Sequence, residues 1–326
     1  MFVNFNMYRI LIFILFLSSI YSQGNEVLGA KFKDNRIWVT VFTEDSIKIK
    51  FYTDTFGPYD CINEKTLSKL TSQIHTISSD NKIHDDLIKE GFNRYIIFPQ
   101  LSNGYYFPDI KLVDELNLSI PTAKGNEIFI CPDEIYYKEN QLGKHWFYNR
   151  IWTFDYINKK LIFHNESIDN TIIDSTHIVN IRFSGNSPLI PVKIDGIEYE
   201  FLFDTGAMVG LTDYALKILD NGLGNWRGTS FLRASIFNEL RDAHPEWKYI
   251  ENANSYSKNA LLVVESIEIA GYTVGPVEFL RQEFTRLNWS GGAIGGSAFQ
   301  YFTITLDYPN KYILFTTEIY ANWVRK

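Results

Sequence analysis

The sequence predicts an all-β protein of two similar lobes with short helices, and two observations carry that prediction. The first is a long-range repeat. Residues 142–163 (LGKHWFYNRIWTFDYINKKLIF) align without a gap on residues 294–315 (IGGSAFQYFTITLDYPNKYILF), at a constant offset of 152. Gly143 falls on Gly295, Phe147 on Phe299, Thr153 on Thr305, Asp155 on Asp307, Asn158 on Asn310 and Phe163 on Phe315. Upstream, FYTDTFG at 51–57 matches FLFDTGA at 201–207 at an offset of 150. Two matches at nearly one spacing mark a duplicated unit. The second observation is composition. The 326 residues include 25 Phe and 20 Tyr, side chains that fit strands better than helices. At about 150 residues per domain, the length accommodates two units.

The elements follow in chain order. Arg9 precedes an apolar run at 10–17, and Ser22 is a small residue before a polar segment. That pattern reads as a secretory signal over 1–22. The run is shorter than the roughly 20 residues of a membrane span, so no stable anchor is expected. The first lobe is read as 23–165 and the second as 166–326, with a polar stretch at 165–174 between them. Each unit runs strand, Asp-Thr turn, helical segment (64–70, or Asp213–Leu219), further strands, apolar-Gly turn and closing hairpin. In each hairpin an apolar strand (151–154, or 302–306) leads into Asp-Tyr-x-Asn-Lys, where Asn158 and Asn310 are expected to supply the left-handed residue. A further hairpin is predicted at 267–279 with its turn at Ala270–Gly271, and a strand at 95–98. Residues 229–241 have helical spacing and read as an insertion, while Trp146, Trp152 and Trp226 read as core.

Charge and motif patterns exclude several functions. The net charge of −7 is spread in short mixed runs, without the clustered Lys and Arg of nucleic-acid binding. The six His, among them His75, His84, His145 and His244, lack metal-ligand spacing. The glycines of 291–296 lack the Lys-Ser/Thr of a phosphate loop, and no Gly-x-Ser-x-Gly elbow is present. The two cysteines, Cys61 and Cys131, either bridge within the first lobe or stay as separate buried thiols.

Two motifs carry chemistry. An apolar strand ends in Asp204-Thr205-Gly206-Ala207, and Ala293-Ile294-Gly295 follows later in the same half. The first half holds Asp54-Thr55-Phe56-Gly57, with Gly143 in the place of Gly295. This order resembles the active-site signature of the aspartic protease superfamily, both pepsin-like and retroviral-type, across nearly the whole chain. The resemblance implies a bilobal pepsin-like fold with two β-barrel-like lobes. It implies Asp54 and Asp204 as a catalytic dyad, and a polypeptide substrate extended in the cleft between lobes. Thr55, Gly57, Thr205, Gly206, Gly143 and Gly295 would support the active-site loops, with the threonines bonding across the lobe interface. No metal or organic cofactor is implied, and both lobes in one chain imply a monomer. Two close carboxyls share one proton, so one serves as base toward water and the other as acid.

The first lobe departs from the pattern at Phe56, where the family has Gly. Phe is costly at a left-handed position. Either the turn slides so that Gly57 takes that position, or Asp54 stands out of line. The second case would leave a catalytically impaired peptide-binding protein. The export reading gives a first test: N-terminal sequencing of the natively produced protein is expected to start near Gln23, and a chain retaining Met1 would contradict it.

Overall fold

Alternation along the strands explains where the core lies. In Arg36–Phe42, Ile37, Val39 and Val41 are buried on one face with Ile49 and Phe51 of the neighbouring strand Lys48–Thr53. A strand places successive side chains on opposite faces, so these five pack into the core while Arg36, Trp38 and Tyr52 lie buried on the opposite face. The computed structural model describes residues 26–43, 45–57, 59–70, 72–76, 92, 94–97, 127–131, 139–164, 177–184, 187–284 and 290–317. The leader, the polar stretch at 165–174, His84 and most of 72–125 lie outside the described residues.

The fold is all-β and bilobal. Among the described residues the first lobe forms an eight-stranded sheet whose centre runs Arg36–Phe42, Lys48–Thr53, Asn140–Leu142, Cys61–Ile62, Glu127–Ile130. The second lobe repeats that order as Ser187–Ile194, Ile197–Phe203, Gly292–Ile294, Ser230–Arg233, Val277–Gln282. In both, the strand entering the Asp-Thr turn pairs in parallel with the short strand of the apolar-Gly turn. Among the described residues, five short helices accompany the strands: α1 (Glu64–Leu67), α2 (Lys144–Phe147), α3 (Asp213–Leu219), α4 (Ala234–Ala243) and α5 (Gly296–Phe299).

The closing hairpins join the lobes. Ile151–Asp155 pairs antiparallel with Thr303–Asp307 at the centre of a six-stranded sheet built from both halves. Thr153 stands opposite Thr305, its own repeat partner, and their hydroxyls are 2.7 Å apart. The pseudo-twofold axis passes between these two residues. In each hairpin turn the aspartate binds its asparagine twice, at 2.9 Å from backbone N–H and side-chain amide. Contrary to expectation, the left-handed residues are Lys159 (φ 60°) and Lys311 (φ 58°), not the asparagines. Asn158 and Asn310 are kept by this side-chain clasp rather than by backbone freedom.

Two further expectations need correcting. Cys61 pairs with Gln141 as Phe231 pairs with Ala293, so Cys61–Ile62 is the counterpart of Ser230–Arg233. Helix α1 after the former therefore corresponds to α4 after the latter, not to α3. Residues 229–241 are part of the common plan. The inserted segment is instead the twenty extra residues between Asp204 and Ser230, which carry Met208–Gly210, α3 and Trp226–Gly228. Trp146 and Trp152 are buried, but Trp226 is 38% exposed and lies 5.5 Å from the Tyr256 ring. Its insertion stands outside the repeated core, which removes the packing partners a core Trp needs. The predicted strand at 95–98 appears as Arg94–Ile97, and the hairpin turn at Ala270–Gly271 is present, both residues having positive φ.

Cys61 and Cys131 form a disulfide, with Cα atoms 5.2 Å apart, beside Phe92 and Phe129. The bond closes a 70-residue separation that includes Arg94–Ile97 and Glu127–Ile130. Replacing both cysteines by serine is expected to destabilise the fold by about 2–4 kcal/mol, measured by denaturant unfolding.

Candidate active site

Two strand ends meet at the lobe interface. Lys48–Thr53 runs into Asp54 and Ile197–Phe203 into Asp204, each from a core of buried aromatics that includes Phe51, Phe201 and Phe203. The turns interlock through their threonines. Thr55 N–H donates to Thr205 Oγ1 (3.1 Å), and Thr205 N–H donates to Thr55 Oγ1 (3.0 Å). Each hydroxyl then donates onward across the interface, Thr55 to Phe203 O (3.2 Å) and Thr205 to Thr53 O (3.4 Å). Both threonines are fully buried, so every one of these groups depends on its partner.

The two turns have the same register. Phe56 N–H donates to Asp54 Oδ1 (3.0 Å) as Gly206 N–H does to Asp204 Oδ1 (2.8 Å). Gly57 N–H reaches Asp54 O (3.1 Å) as Ala207 N–H reaches Asp204 O (3.4 Å). The turn has therefore not slid: Gly57 stands where Ala207 stands. Neither Phe56 nor Gly206 has positive φ, so the anticipated left-handed strain does not arise. Gly206 is required by space instead, because a Cβ there would lie 2.1 Å from Asp54 Cγ. The Asp54 carboxyl leans over the second-lobe turn. Phe56 is 38% exposed.

The Asp54 carboxyl lies against the turn that holds Asp204: a Cβ on Gly206, whose N–H binds Asp204, would stand 2.3 and 2.5 Å from the Asp54 oxygens. Burial pushes both above the ordinary carboxylate value, and the neighbouring Asp54 charge drives Asp204 higher still. Asp54 is eased back by two N–H donors on one oxygen, Gly57 at 2.6 Å and Phe56. The arrangement favours a single negative charge nearer Asp54 and a retained proton nearer Asp204, the two titrating as one unit. Such a pair has both a base and an acid within reach of one substrate carbonyl.

Gly143 and Gly295 begin the helices α2 and α5. Gly143 N–H donates to Asp60 Oδ1 (2.6 Å) and Gly295 N–H to Ser230 Oγ (3.0 Å), at equivalent places in the two lobes. Asp60 is buried, and burial raises its carboxyl to about 7 despite the Gly143 N–H and the charge of Arg150. Sequence reasoning missed Asp60, because its counterpart is a serine reached by a longer chain path. It also missed Tyr52, whose hydroxyl donates to Gly206 O at 2.7 Å. Alternation offered the only signal there, setting Tyr52 on the face opposite buried Phe51.

No family model and no curated protein sequence matches the chain. Among solved structures, the aspartic proteinase from Irpex lacteus is similar with a TM-score of 0.50 and 10% identity, over 93% of this chain and 100% of that one. Basic 7S globulin from soybean gives a TM-score of 0.47 and 10% identity, over 90% of this chain and 95% of that one. A retropepsin-like aspartic protease from Rickettsia conorii gives 0.29 and 16%, over 42% of this chain and 87% of that one. The likeness to the Irpex structure is one of fold, and the fold is the two-lobed pepsin type.

Asp60 supplies a stability test. Its folded value lies above the ordinary 3.8, so its contribution is present in full below that pH and is lost as pH rises to about 7. Asp60→Ser, which copies the second lobe, is expected to gain roughly 2–4 kcal/mol relative to wild type between pH 4 and pH 8. Unfolding at the two pH values measures it, and a pH-independent difference would refute the assignment.

Proposed function

We propose that the chain is an aspartic endopeptidase, exported to an oxidising compartment, that hydrolyses polypeptides with the Asp54–Asp204 pair and a water molecule. One observation carries this reading: the reciprocal threonine bonds hold two carboxyls, one from each lobe, at the same seam, with the Asp54 carboxyl against the Gly206 turn that binds Asp204. Asp54 takes a proton from water as the oxygen attacks the scissile carbonyl carbon. Asp204 gives its proton to the carbonyl oxygen, leaving a tetrahedral diol. Collapse of the diol breaks the C–N bond, the leaving nitrogen takes the proton held by Asp54, and Asp204 recovers its own. The Cys61–Cys131 bond supports export, since such bonds persist in oxidising compartments. Among the described residues no helix is long and apolar enough to cross a membrane.

Phe56 favours a second reading, a binding protein that captures peptides without cleaving them. Against it, the Phe56 turn keeps the same backbone bonds to its aspartate as the Gly206 turn. Kinetics separate the two. Asp54→Asn and Asp204→Asn are each expected to lower kcat on an unstructured polypeptide by on the order of 10³-fold, with the double variant scarcely worse. Wild-type activity falls as pH rises through the raised value of Asp204, because no proton then remains to be shared. It falls again at low pH as Asp54 becomes protonated. Asp204→Asn is also expected to raise Tm at pH 7, a gain that vanishes as pH falls below 3.8, where Asp204 is protonated folded or unfolded. Peptide cleavage that survives Asp204→Asn would overturn the mechanism; affinity without turnover in wild type would establish the binding reading.

A further inference from the structure

The face of the first-lobe sheet opposite the core carries a row of unusual residues. Trp38 stands directly across from Tyr52, and Arg36 and Lys50 lie two positions along on the same face. The Arg36 guanidinium packs against both rings, 4.5 Å from the Trp38 centroid and 4.4 Å from that of Tyr52. Lys50 Nζ lies 4.2 Å from the Trp38 ring. Glu139 binds Arg36 at 2.5 Å and accepts from Trp38 Nε1 at 3.4 Å. The row runs from the half-exposed Glu139 inward to Tyr52, which is buried under the second lobe.

Tyr52 ends the row at the dyad. Its hydroxyl donates to Gly206 O (2.7 Å) and approaches Thr205 O (3.4 Å), so it touches the carbonyls on both sides of the Gly206 N–H. That N–H is the one bound to Asp204 Oδ1. The repeat counterpart of Tyr52 is Leu202, which has no hydroxyl. The support therefore runs one way, from the first lobe to the second-lobe turn. The charged groups facing Tyr52 are Arg36, Asp54 and Asp204. Burial holds the phenol far above its ordinary value, so it stays a donor throughout the working range.

We propose that Tyr52, braced by Arg36 between the Trp38 and Tyr52 rings, is a positioning residue that aims the Gly206 N–H at Asp204 and so sets how readily Asp204 releases its proton. The inference rests on the dyad reading above, but its test has a readout independent of turnover. The bond to Gly206 O, with the weaker contact to Thr205 O, anchors the carbonyls on either side of the Gly206 N–H and so holds that N–H on the Asp204 anion. Losing the hydroxyl weakens that bond, so Asp204 holds its proton more tightly and titrates at higher pH.

The experiment titrates the Asp204 carboxyl by ¹³C NMR in the full-length protein, with Asp204→Asn fixing the assignment. Tyr52→Phe, which keeps the ring, is expected to move the Asp204 titration up by at least half a pH unit. Arg36→Met, which removes the brace and its charge, is expected to move it the same way. In peptide hydrolysis, Tyr52→Phe is expected to lower kcat about tenfold, to leave KM within about twofold, and to shift the alkaline limb upward. Superimposable titrations in wild type and Tyr52→Phe would overturn the inference even in an active enzyme. A shifted titration in a protein that cleaves nothing would uphold it while the peptidase reading fell.

Discussion

Thr55 and Thr205 each satisfy a backbone N–H of the opposite lobe, and neither can do so unless both lobes are in place. The four bonds lie in a fully buried seam, where an unmade bond costs about 1–3 kcal/mol. Much else follows from that exchange. It fixes Asp54 and Asp204 on either side of one axis, and it brings the Asp54 carboxyl so close to the second-lobe turn that only glycine fits at position 206. It also makes lobe docking and assembly of the carboxyl pair a single event.

The duplication is exact in the seam and loose around it. In the first lobe the chain passes directly from Asp54 to Asp60; in the second it detours through twenty more residues before Ser230. That detour grips the other lobe. Gly228 N–H binds Asp34 O (2.8 Å) and Gly224 N–H binds Asp34 Oδ1 (3.0 Å), at a first-lobe turn whose two residues, Asp34 and Asn35, are left-handed. Buried Arg227 holds the detour in shape through Glu278, Asn221 and the carbonyls of Leu223 and Gly224. The asymmetry between halves thus adds an inter-lobe contact that strict symmetry would lack.

How much of this could be read beforehand depended on whether the information was local. The Asp-Thr turns and the closing hairpins were legible because residue type, turn chemistry and spacing coincide within a few positions. Their pairing across the axis followed from the offset. Partnership between distant elements was not legible. Helical spacing identifies Asp213–Leu219 as a helix, yet nothing in it says that α1 answers to α4. Sequence shows that Phe56 stands in the place of a glycine but not which constraint glycine meets: at the equivalent Gly206 it is crowding by a carboxyl from the other lobe, not backbone angle. Tyr52 and Asp60 owe their environments to contacts that form only when the sheets are assembled, so their residue types alone carried no signal.

The antiparallel join between Ile151–Asp155 and Thr303–Asp307 places Thr153 against its own repeat partner. A strand that meets its equivalent at a twofold axis is complementary to itself, since whatever one copy offers the other accepts. Either half alone would therefore expose an edge already shaped to receive a second copy of that half. Fusion into one chain caps each edge with the other and shields both from strangers, the usual hazard of an open sheet. It also releases each half from having to match itself. A tyrosine in one copy and a leucine in the other, or a buried aspartate answering a serine, are differences that only a covalent pair can hold.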